Sequence, residues 1–226
     1  MYCAHFALLL HANNTPGFRI MHFVDELMNV VECSLYSSTE GEAASIAILL
    51  LETWKVISRW RYNKESFEIE VAGKPGSFMV HDGEGTAPVS YPKFKIRDKR
   101  WHATMGKAFL GCLHSKENIH LRACFLVLNR IVDEFPTRPV LGQRLLDAMG
   151  PMLDEAYPLQ DISAAAQSYS VLLSQARSSG VWKEEDASAA KARENDEKAA
   201  QLQRKKKAEE QLAEMEIETK AIDKEL

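Results

Sequence analysis

The fold of this chain is decided by residues 101–135, which read WHATMGKAFLGCLHSKENIHLRACFLVLNRIVDEF. In the second half of this segment, apolar residues recur at helical three-and-four spacing and charged residues occupy the other side. The apolar stripe consists of Leu121, Cys124, Phe125, Leu128, Ile131, Val132 and Phe135, and the charged side of Arg122, Arg130, Asp133 and Glu134. This pattern predicts one amphipathic helix.

The first half of the segment repeats the pattern. Its apolar positions are Trp101, Met105, Ala108, Phe109, Cys112 and Leu113. A short polar stretch from Ser115 to Asn118 joins the halves, so we expect them to close as an antiparallel helical hairpin. Such hairpins stack, and no convincing strand pattern occurs in the chain. The predicted fold is therefore all-α, a solenoid-like stack of helical hairpins of the HEAT-like kind.

The composition is that of a globular body with its own core. The chain has 226 residues, of which 46% are hydrophobic and 27% charged, with a net charge of -4. That charge argues against bulk electrostatic adhesion to nucleic acid or acidic lipid. The cysteines fall within apolar helical patterns without framework spacing, which favours a reducing compartment and no disulfides. They are Cys3, Cys33, Cys112 and Cys124.

No segment predicts membrane insertion. The longest apolar run, Ala43 to Leu51, is far shorter than the roughly 20 residues that a spanning helix needs. The apolar stretch from Tyr2 to Leu10 has no basic residue before it, which argues against a signal peptide. We expect the chain to start inside a helix, as one piece of a longer protein or of a shortened gene product.

Capping and turn residues predict the other helices. Asn13 to Gly17 is a dense turn signal, after which Phe18 to Leu35 resumes a helical stripe. Thr39 with Glu42 predicts a capping box before an unusually apolar helix at the centre of the core. Residues 73–92 read as a long loop. Further helices are predicted to begin at Thr137 with Pro139 and at Asp161 as a cap, and Gly150-Pro151 is predicted to interrupt the first of them.

The composition divides the chain into two domains. We predict a helical-repeat-like body over 1–182 and a charged extended helix or coiled-coil tail over 183–226. From Lys183 onward, Ala, Glu, Lys and Gln dominate without Gly or Pro, which favours a solvated helix. A weak heptad seam leaves pairing open, through Ala208, Leu212, Met215, Thr219, Ile222 and Leu226.

Three local motifs are weak as chemical sites. Cysteines and histidines cluster at Cys112, His114, His120 and Cys124, but their spacing is not that of usual zinc sites, so core cysteines are favoured. The stretch Gly73 to Ser77 lacks the register of a phosphate-binding loop and favours a plain turn. No nucleophile signature occurs, so we predict no enzyme, no cofactor and no small-molecule substrate. The run Arg204 to Lys207 is a targeting signal or a solvated stretch.

A basic and aromatic stretch over residues 93–102 is the one candidate binding site. Basic side chains that alternate with aromatic ones can hold a phosphate backbone while a ring stacks on a base. The same apolar residues could instead anchor a connector to the core, with the cations in water. The candidate nucleic-acid contacts are Lys93, Lys95, Arg97, Lys99, Arg100 and Trp101.

An ordered set of short motifs over residues 1–175 resembles the C-terminal helical region of the large scaffold subunit of the THO complex, the core of the TREX assembly. The set begins with Asn14 to Phe18, Glu40 to Ala43, Leu50 to Thr53 and Trp60. It continues with Pro75-Gly76, Phe78, Trp101-His102, Lys107, Cys112-Leu113, His120, Arg122, Leu126 to Leu128, Pro136, Gly142 and Tyr169.

The resemblance implies a non-catalytic nuclear scaffold that couples transcription to mRNA packaging and export. Its implied partners are the other THO subunits and a DEAD-box RNA helicase. Two departures stand out: Asn118 takes the place of an aromatic residue, and the family's long basic extension is missing, which weakens the case for RNA binding. Two alternatives remain open, a direct RNA-binding module using residues 93–102 and a helical adaptor from an unrelated trafficking system.

Overall fold

The computed structural model describes residues 2–77, 88–115, 117–154 and 156–182. These residues form an all-α body, and no β-strand occurs among them. Two short 3₁₀ helices, Pro75–Ser77 and Gly150–Leu153, accompany the α-helices in this part of the chain. The α-helices of this part of the chain are α1 (Tyr2–Ala12), α2 (Ile20–Ser37), α3 (Glu40–Tyr62), α4 (Lys64–Glu70), α5 (Tyr91–Leu113), α6 (Asn118–Ile131), α7 (Pro139–Met149) and α8 (Gln160–Ser178).

The predicted capping box at the start of α3 is confirmed. The backbone N–H of Glu42 donates to Thr39 Oγ1 at 3.4 Å, and the backbone N–H of Thr39 donates to Glu42 Oε2 at 2.9 Å. These two bonds satisfy donors that the first turn of a helix leaves without intrahelical partners. The central helix of the core therefore begins at a defined residue.

Thr39→Ala should lower the free energy of unfolding by about 1 kcal/mol, because it leaves a first-turn N–H of α3 without its side-chain acceptor. Urea unfolding followed by circular dichroism measures the change. Thr39→Ser keeps the hydroxyl and serves as the matched control. Equal losses in the two variants would show that the capping bond contributes nothing.

The hairpin helices differ in extent from the prediction. Helix α5 begins at Tyr91, ten residues before the predicted start at Trp101, because Pro92 is tolerated in the first turn. The stretch 93–102 is therefore helical and not a connector. The predicted cap at Asp161 is wrong: α8 begins at Gln160 after Leu159, and Asp161 instead binds Arg122 at 2.7 Å. The predicted interruption at Gly150-Pro151 is confirmed as a 3₁₀ helix.

The helices contact one another in a regular order. Helix α3 contacts both α1 and α6, and α6 in turn contacts α8. A second series runs from α2 to α5 to α7. The most extensive contact joins α3 and α6, which are not consecutive, whereas α5 and α6, the predicted hairpin, share a smaller one. Packing between helices of different pairs is therefore more extensive than packing within the predicted hairpin of α5 and α6.

Helices α3, α6 and α8 run in the same direction. Near the N-terminal ends of the three helices, Arg122 of α6 binds Asp161 of α8 at 2.7 Å and Glu40 of α3 at 3.7 Å. At their other ends, residues from the last turns of α3 and from the segments after α6 and α8 line one pocket. Since the same ends meet at both places, the three helices lie side by side and parallel.

Aromatic side chains pack against one another between the helices of the body. The rings of Phe67 and Phe94 stack with centroids 4.8 Å apart, and Trp54 lies 5.7 Å from Phe135. Such pairs add specific geometry to the burial of apolar area. The largest fully buried aromatic side chains of the described core are Trp54, Trp60, Phe67, Phe94, Phe109, Phe125, Phe135 and Tyr169.

One predicted feature lies wholly outside the described residues, and another lies half outside them. The charged tail over 183–226, including Arg204 to Lys207, falls there entirely, so the second predicted domain stays a prediction. Of the predicted loop over 73–92, the structure describes 73–77 and 88–92. Within it Gly76 packs against His11: a Cβ there would lie 2.4 Å from His11 Nδ1, so only glycine fits this close approach.

Candidate functional site

A buried ion pair joins α3 to α5 and is the most elaborate polar feature of the interior. Arg61 Nε lies 3.0 and 2.9 Å from the two carboxylate oxygens of Asp98, and Arg61 Nη2 donates to Oδ1 at 2.6 Å. Both residues are buried, with 6% and 3% of their surfaces exposed. The guanidinium also lies 5.2 Å from the ring centroid of Trp54. Burial alone would lower the pKa of Arg61, but Asp98 raises it, so the guanidinium stays charged.

The network extends to α5's next turn and to the segment before α7. Arg61 Nη1 donates to Thr137 Oγ1 at 3.3 Å, and the backbone N–H of Thr137 donates to His102 Nε2 at 3.0 Å. His102 therefore acts as an acceptor and is neutral. Burial, assisted by the positive charges of Arg61 and Arg138, lowers the pKa of His102 to about 3. Each polar group named here has a partner, so the network fixes how three segments meet.

The buried neutral His102 should make the body acid-sensitive. Its folded-state pKa of about 3 lies below the ordinary value of 6.5, so the unfolded chain binds more protons between these pH values. Stability is then fully present above pH 6.5 and falls with acidification by up to about 1.4 kcal/mol per pH unit. Urea unfolding of the parent and of His102→Gln at several pH values tests this. Equal pH slopes would contradict it.

The structure separates the six candidate nucleic-acid contacts into two groups. Arg97 pairs with Asp25 of α2, and Trp101 Nε1 donates to Asp25 Oδ1 at 2.5 Å. Trp101 is only 2% exposed, so its ring offers no face on which a base could stack. Lys95 Nζ donates to the carbonyl oxygen of Arg61 at 3.4 Å. These three side chains hold α5 against its neighbours.

The other three candidates lie on the surface of α5. Lys93, Lys99 and Arg100 are exposed in its first three turns. Ile96 between them is 68% exposed, which makes this surface both basic and apolar. Nucleic-acid contact through these three residues stays a prediction.

Sequence reasoning missed the ion pair between Arg61 and Asp98 because the two residues lie 37 positions apart. One local signal was present. Asp98 falls on the face of α5 that also carries Phe94, Trp101 and Met105, all of them buried. A carboxylate inside an apolar stripe requires a partner when buried, so this position pointed to a cation on a neighbouring helix.

The four cysteines and histidines of the alternative zinc reading lie in different environments. Cys112 and Cys124 are fully buried, as predicted for core cysteines. His120 bonds Ser115 Oγ at 2.8 Å, and His114 is exposed. Burial raises the pKa of the Cys124 thiol, which disfavours the reactive thiolate. Among the described residues, no group of three or more His, Cys, Asp or Glu side chains could hold a metal ion.

Helix α1 is predominantly apolar, and its polar residues are His5 and His11. Ala4, Ala7 and His11 face the interior, whereas Tyr2, Phe6 and Leu9 are exposed at spacings of four and three residues. The rings of Tyr2 and Phe6 stack with centroids 5.7 Å apart. An ordered row of exposed apolar side chains is a feature of protein contact surfaces. None of the described helices has the length and apolar character required to cross a bilayer.

The helical fold and the buried network of Arg61, Asp98, Thr137 and His102 place the chain among all-α proteins whose interior polar groups serve packing. The chain belongs to the Tho2 family, described as transcription factor/nuclear export subunit protein 2, which matches residues 1–173. THO complex subunit 2 of Mus musculus and that of Homo sapiens are each 28% identical over 177 residues, covering 75% of this chain and 11% of the relative. THO complex subunit 2 of Arabidopsis thaliana is 25% identical over 146 residues, covering 64% and 8%.

The chain thus spans about a tenth of the length of the curated relatives it matches. No solved structure matches it. The match extends over α1 to most of α8, so it covers nearly all of the described body. The resemblance predicted from the ordered motifs is confirmed, and the alternative of an unrelated trafficking adaptor is not supported.

Proposed function

We propose that this chain is part of a non-catalytic nuclear scaffold that couples transcription to mRNA packaging and export. The observation that carries the proposal is the family match, which extends across the helical body and not over a small motif within it. Relatives over this region are named as THO complex subunit 2. The other THO subunits are the proposed binding partners, and a DEAD-box RNA helicase is a further one.

We also propose that the body is a solenoid-like stack of helical hairpins. In such a stack, each helix packs on its counterpart in the next repeat, so contacts skip along the chain. The contacts of α3 with α6 and of α2 with α5 follow this order, and the parallel course of α3, α6 and α8 supports it. A stack of this kind presents long helical ridges to partners.

The exposed face of α1 is the proposed contact with another THO subunit. Because α1 is predominantly apolar, covering its outer face with a partner would remove further apolar surface from water. Tyr2, Phe6 and Leu9 form that outer face, with 78%, 46% and 55% of their surfaces exposed. Apolar and aromatic anchors of this type dominate the energy of protein interfaces.

Co-purification tests this function. The tagged chain, expressed in cells, should recover THO subunits from nuclear extract, and Phe6→Ser with Leu9→Ser should reduce their recovery at least tenfold. Val171→Ser is the matched control, because Val171 is also exposed, at 56%, but lies on α8. Recovery of the fully folded chain without any THO subunit or mRNA export factor would overturn the proposal.

A second candidate function, direct RNA binding, rests on the exposed cations of α5. Replacing Lys93, Lys99 and Arg100 by Gln should weaken binding of a single-stranded RNA and reduce the slope of log K against log salt by about 2, since each lost phosphate contact removes about 0.7. Fluorescence anisotropy measures both. Replacing Lys55, Lys64 and Arg130 by Gln is the control, because these exposed cations lie on other helices. If both variants bind like the parent, the basic surface of α5 has no role in RNA binding.

A further inference from the structure

A pocket of about 220 Å³ opens where α3, α6 and α8 end. Its walls come from the last turns of α3, from the segment between α6 and α7, and from the turn after α8. The lining consists of Ser58, Tyr62, Asp133, Glu134, Thr137 and the turn 179–181. The pocket is distinct from the α1 surface described above. It shares Thr137 with the buried network of Arg61 and Asp98, but the function of that network does not explain it.

The pocket is negatively charged. Neither Asp133 nor Glu134 has an ion-pair partner among the described residues. The carboxyl ends of α6 and α8 add partial negative charge at the same place. Two cations on the elements around the pocket are already engaged, because Arg61 binds Asp98 at 2.6 Å and Arg177 lies 5.5 Å from the ring centroid of Trp182.

Ser58 provides an independent indication of a ligand. The residue is 8% exposed and lines the pocket, yet its buried Oγ has no hydrogen-bond partner among the described residues. Buried hydroxyl groups nearly always have a partner, and leaving one without it is costly. An N–H donor entering the pocket would satisfy Ser58 Oγ and approach the two carboxylates together.

A metal ion does not match this lining. Among the described residues, no group of three or more potential metal ligands comes together, here or elsewhere. The volume is also larger than a single ion requires. A guanidinium group fits better, because its planar array of donors can reach a hydroxyl and carboxylates at once.

We propose that this pocket receives an arginine side chain from a protein partner. The inference rests on the proposed scaffold function only in requiring a protein partner, and it adds the chemistry by which that partner is recognised. The partner segment would extend its side chain between the ends of α3, α6 and α8. Because the end of α3 and the segments that follow α6 and α8 line the pocket, the bound side chain would also fix their relative positions.

The test is an NMR titration of the full 226-residue chain with the peptide acetyl-Gly-Arg-Gly-amide. The same peptide with citrulline in place of arginine is the matched control, since it keeps the shape but lacks the charge. The arginine peptide should shift amide signals of Ser58, Asp133 and Gly180 and bind at least fivefold more tightly than the citrulline peptide.

Two variants connect the binding to the pocket. Asp133→Asn with Glu134→Gln should weaken binding of the arginine peptide at least fivefold, and Ser58→Ala by about tenfold. Glu65→Gln with Glu68→Gln, which removes two exposed carboxylates of α4, should leave it unchanged. Thermal melts show whether each variant is folded. If the two peptides bind equally, or if the pocket variants bind like the parent, the proposal is overturned.

The outcome is separate from that of the co-purification. If THO subunits are recovered but the arginine peptide does not bind the pocket, the scaffold function stands and the arginine site is wrong. If the peptide binds and no THO subunit is recovered, the pocket is real and its partner is a protein outside that complex.

Discussion

Asp98→Ala should destabilise the helical body by about 3–5 kcal/mol, since it leaves the guanidinium of Arg61 buried without its counter-charge. Arg61 is 6% exposed, and its three short contacts with Asp98 lie at 2.6 to 3.0 Å. Its hydrogen bond to Thr137 Oγ1 is long at 3.3 Å and neutral. A loss of this size is a large part of the 5–15 kcal/mol that typically stabilises a domain.

The double variant Arg61→Met with Asp98→Leu separates charge burial from packing. Replacing a buried ion pair by apolar residues of similar volume is often neutral or stabilising, so this variant should unfold within about 1 kcal/mol of the parent. Urea unfolding followed by circular dichroism measures all three proteins. If Asp98→Ala loses less than about 1 kcal/mol, the pair does not hold α3 and α5 together.

Trp54→Ala should lower the free energy of unfolding by about 3–5 kcal/mol. The substitution removes the largest fully buried side chain at the interface of α3 with α5 and α6 and leaves a cavity there. The ring of Trp54 lies 5.7 Å from Phe135 and 6.0 Å from His102, and it carries the guanidinium of Arg61 on its face. Its Nε1 lies against Met105 Sδ. Removing it disturbs both the aromatic packing and the buried ion pair.

Trp54→Phe is the control for this prediction. Phenylalanine keeps an aromatic ring in the interface and loses only part of the volume and the indole N–H, so its loss should be about half or less of that in Trp54→Ala. Equal unfolding midpoints for the parent and Trp54→Ala would contradict the central place given to this residue.

Local patterns in the sequence predicted much of the fold. The apolar stripe of α6 from Leu121 to Ile131 is buried as its spacing indicated, and Cys112 and Cys124 lie within the core. Thr39 and Glu42 form the capping box that the motif indicated. These features depend on residues three or four positions apart, which is the distance over which helical periodicity is informative.

Features that depend on distant residues were not predictable in this way. The sequence pattern predicted a start of α5 at Trp101, because the basic residues before Trp101 interrupt the apolar spacing. They obscure the buried face formed by Phe94, Asp98 and Trp101. The pairing of Asp98 with Arg61, and of Arg97 with Asp25, is decided by how α2, α3 and α5 pack. The sequence predicted Asp161 as a helix cap, but in the structure its carboxylate forms an ion pair with Arg122 of α6.

The candidate nucleic-acid contacts over 93–102 show the same difference between local and long-range features. The alternation of basic and aromatic residues over 93–102 was visible in sequence, yet only the structure shows that Trp101 faces inward and that Lys93 and Arg100 face outward. The pocket formed by Ser58, Asp133 and Glu134 has no sequence signature, because three separate helix ends create it.

Cross-linking mass spectrometry of the complex purified through the tagged chain tests the scaffold role most directly. Exposed lysines of the body, Lys55, Lys64, Lys93 and Lys107, provide reactive amines on α3, α4 and α5. The scaffold account predicts cross-links from these lysines to several other THO subunits, which Phe6→Ser with Leu9→Ser reduces. Cross-links confined to the chain itself, with no THO subunit attached to the folded body, would contradict it.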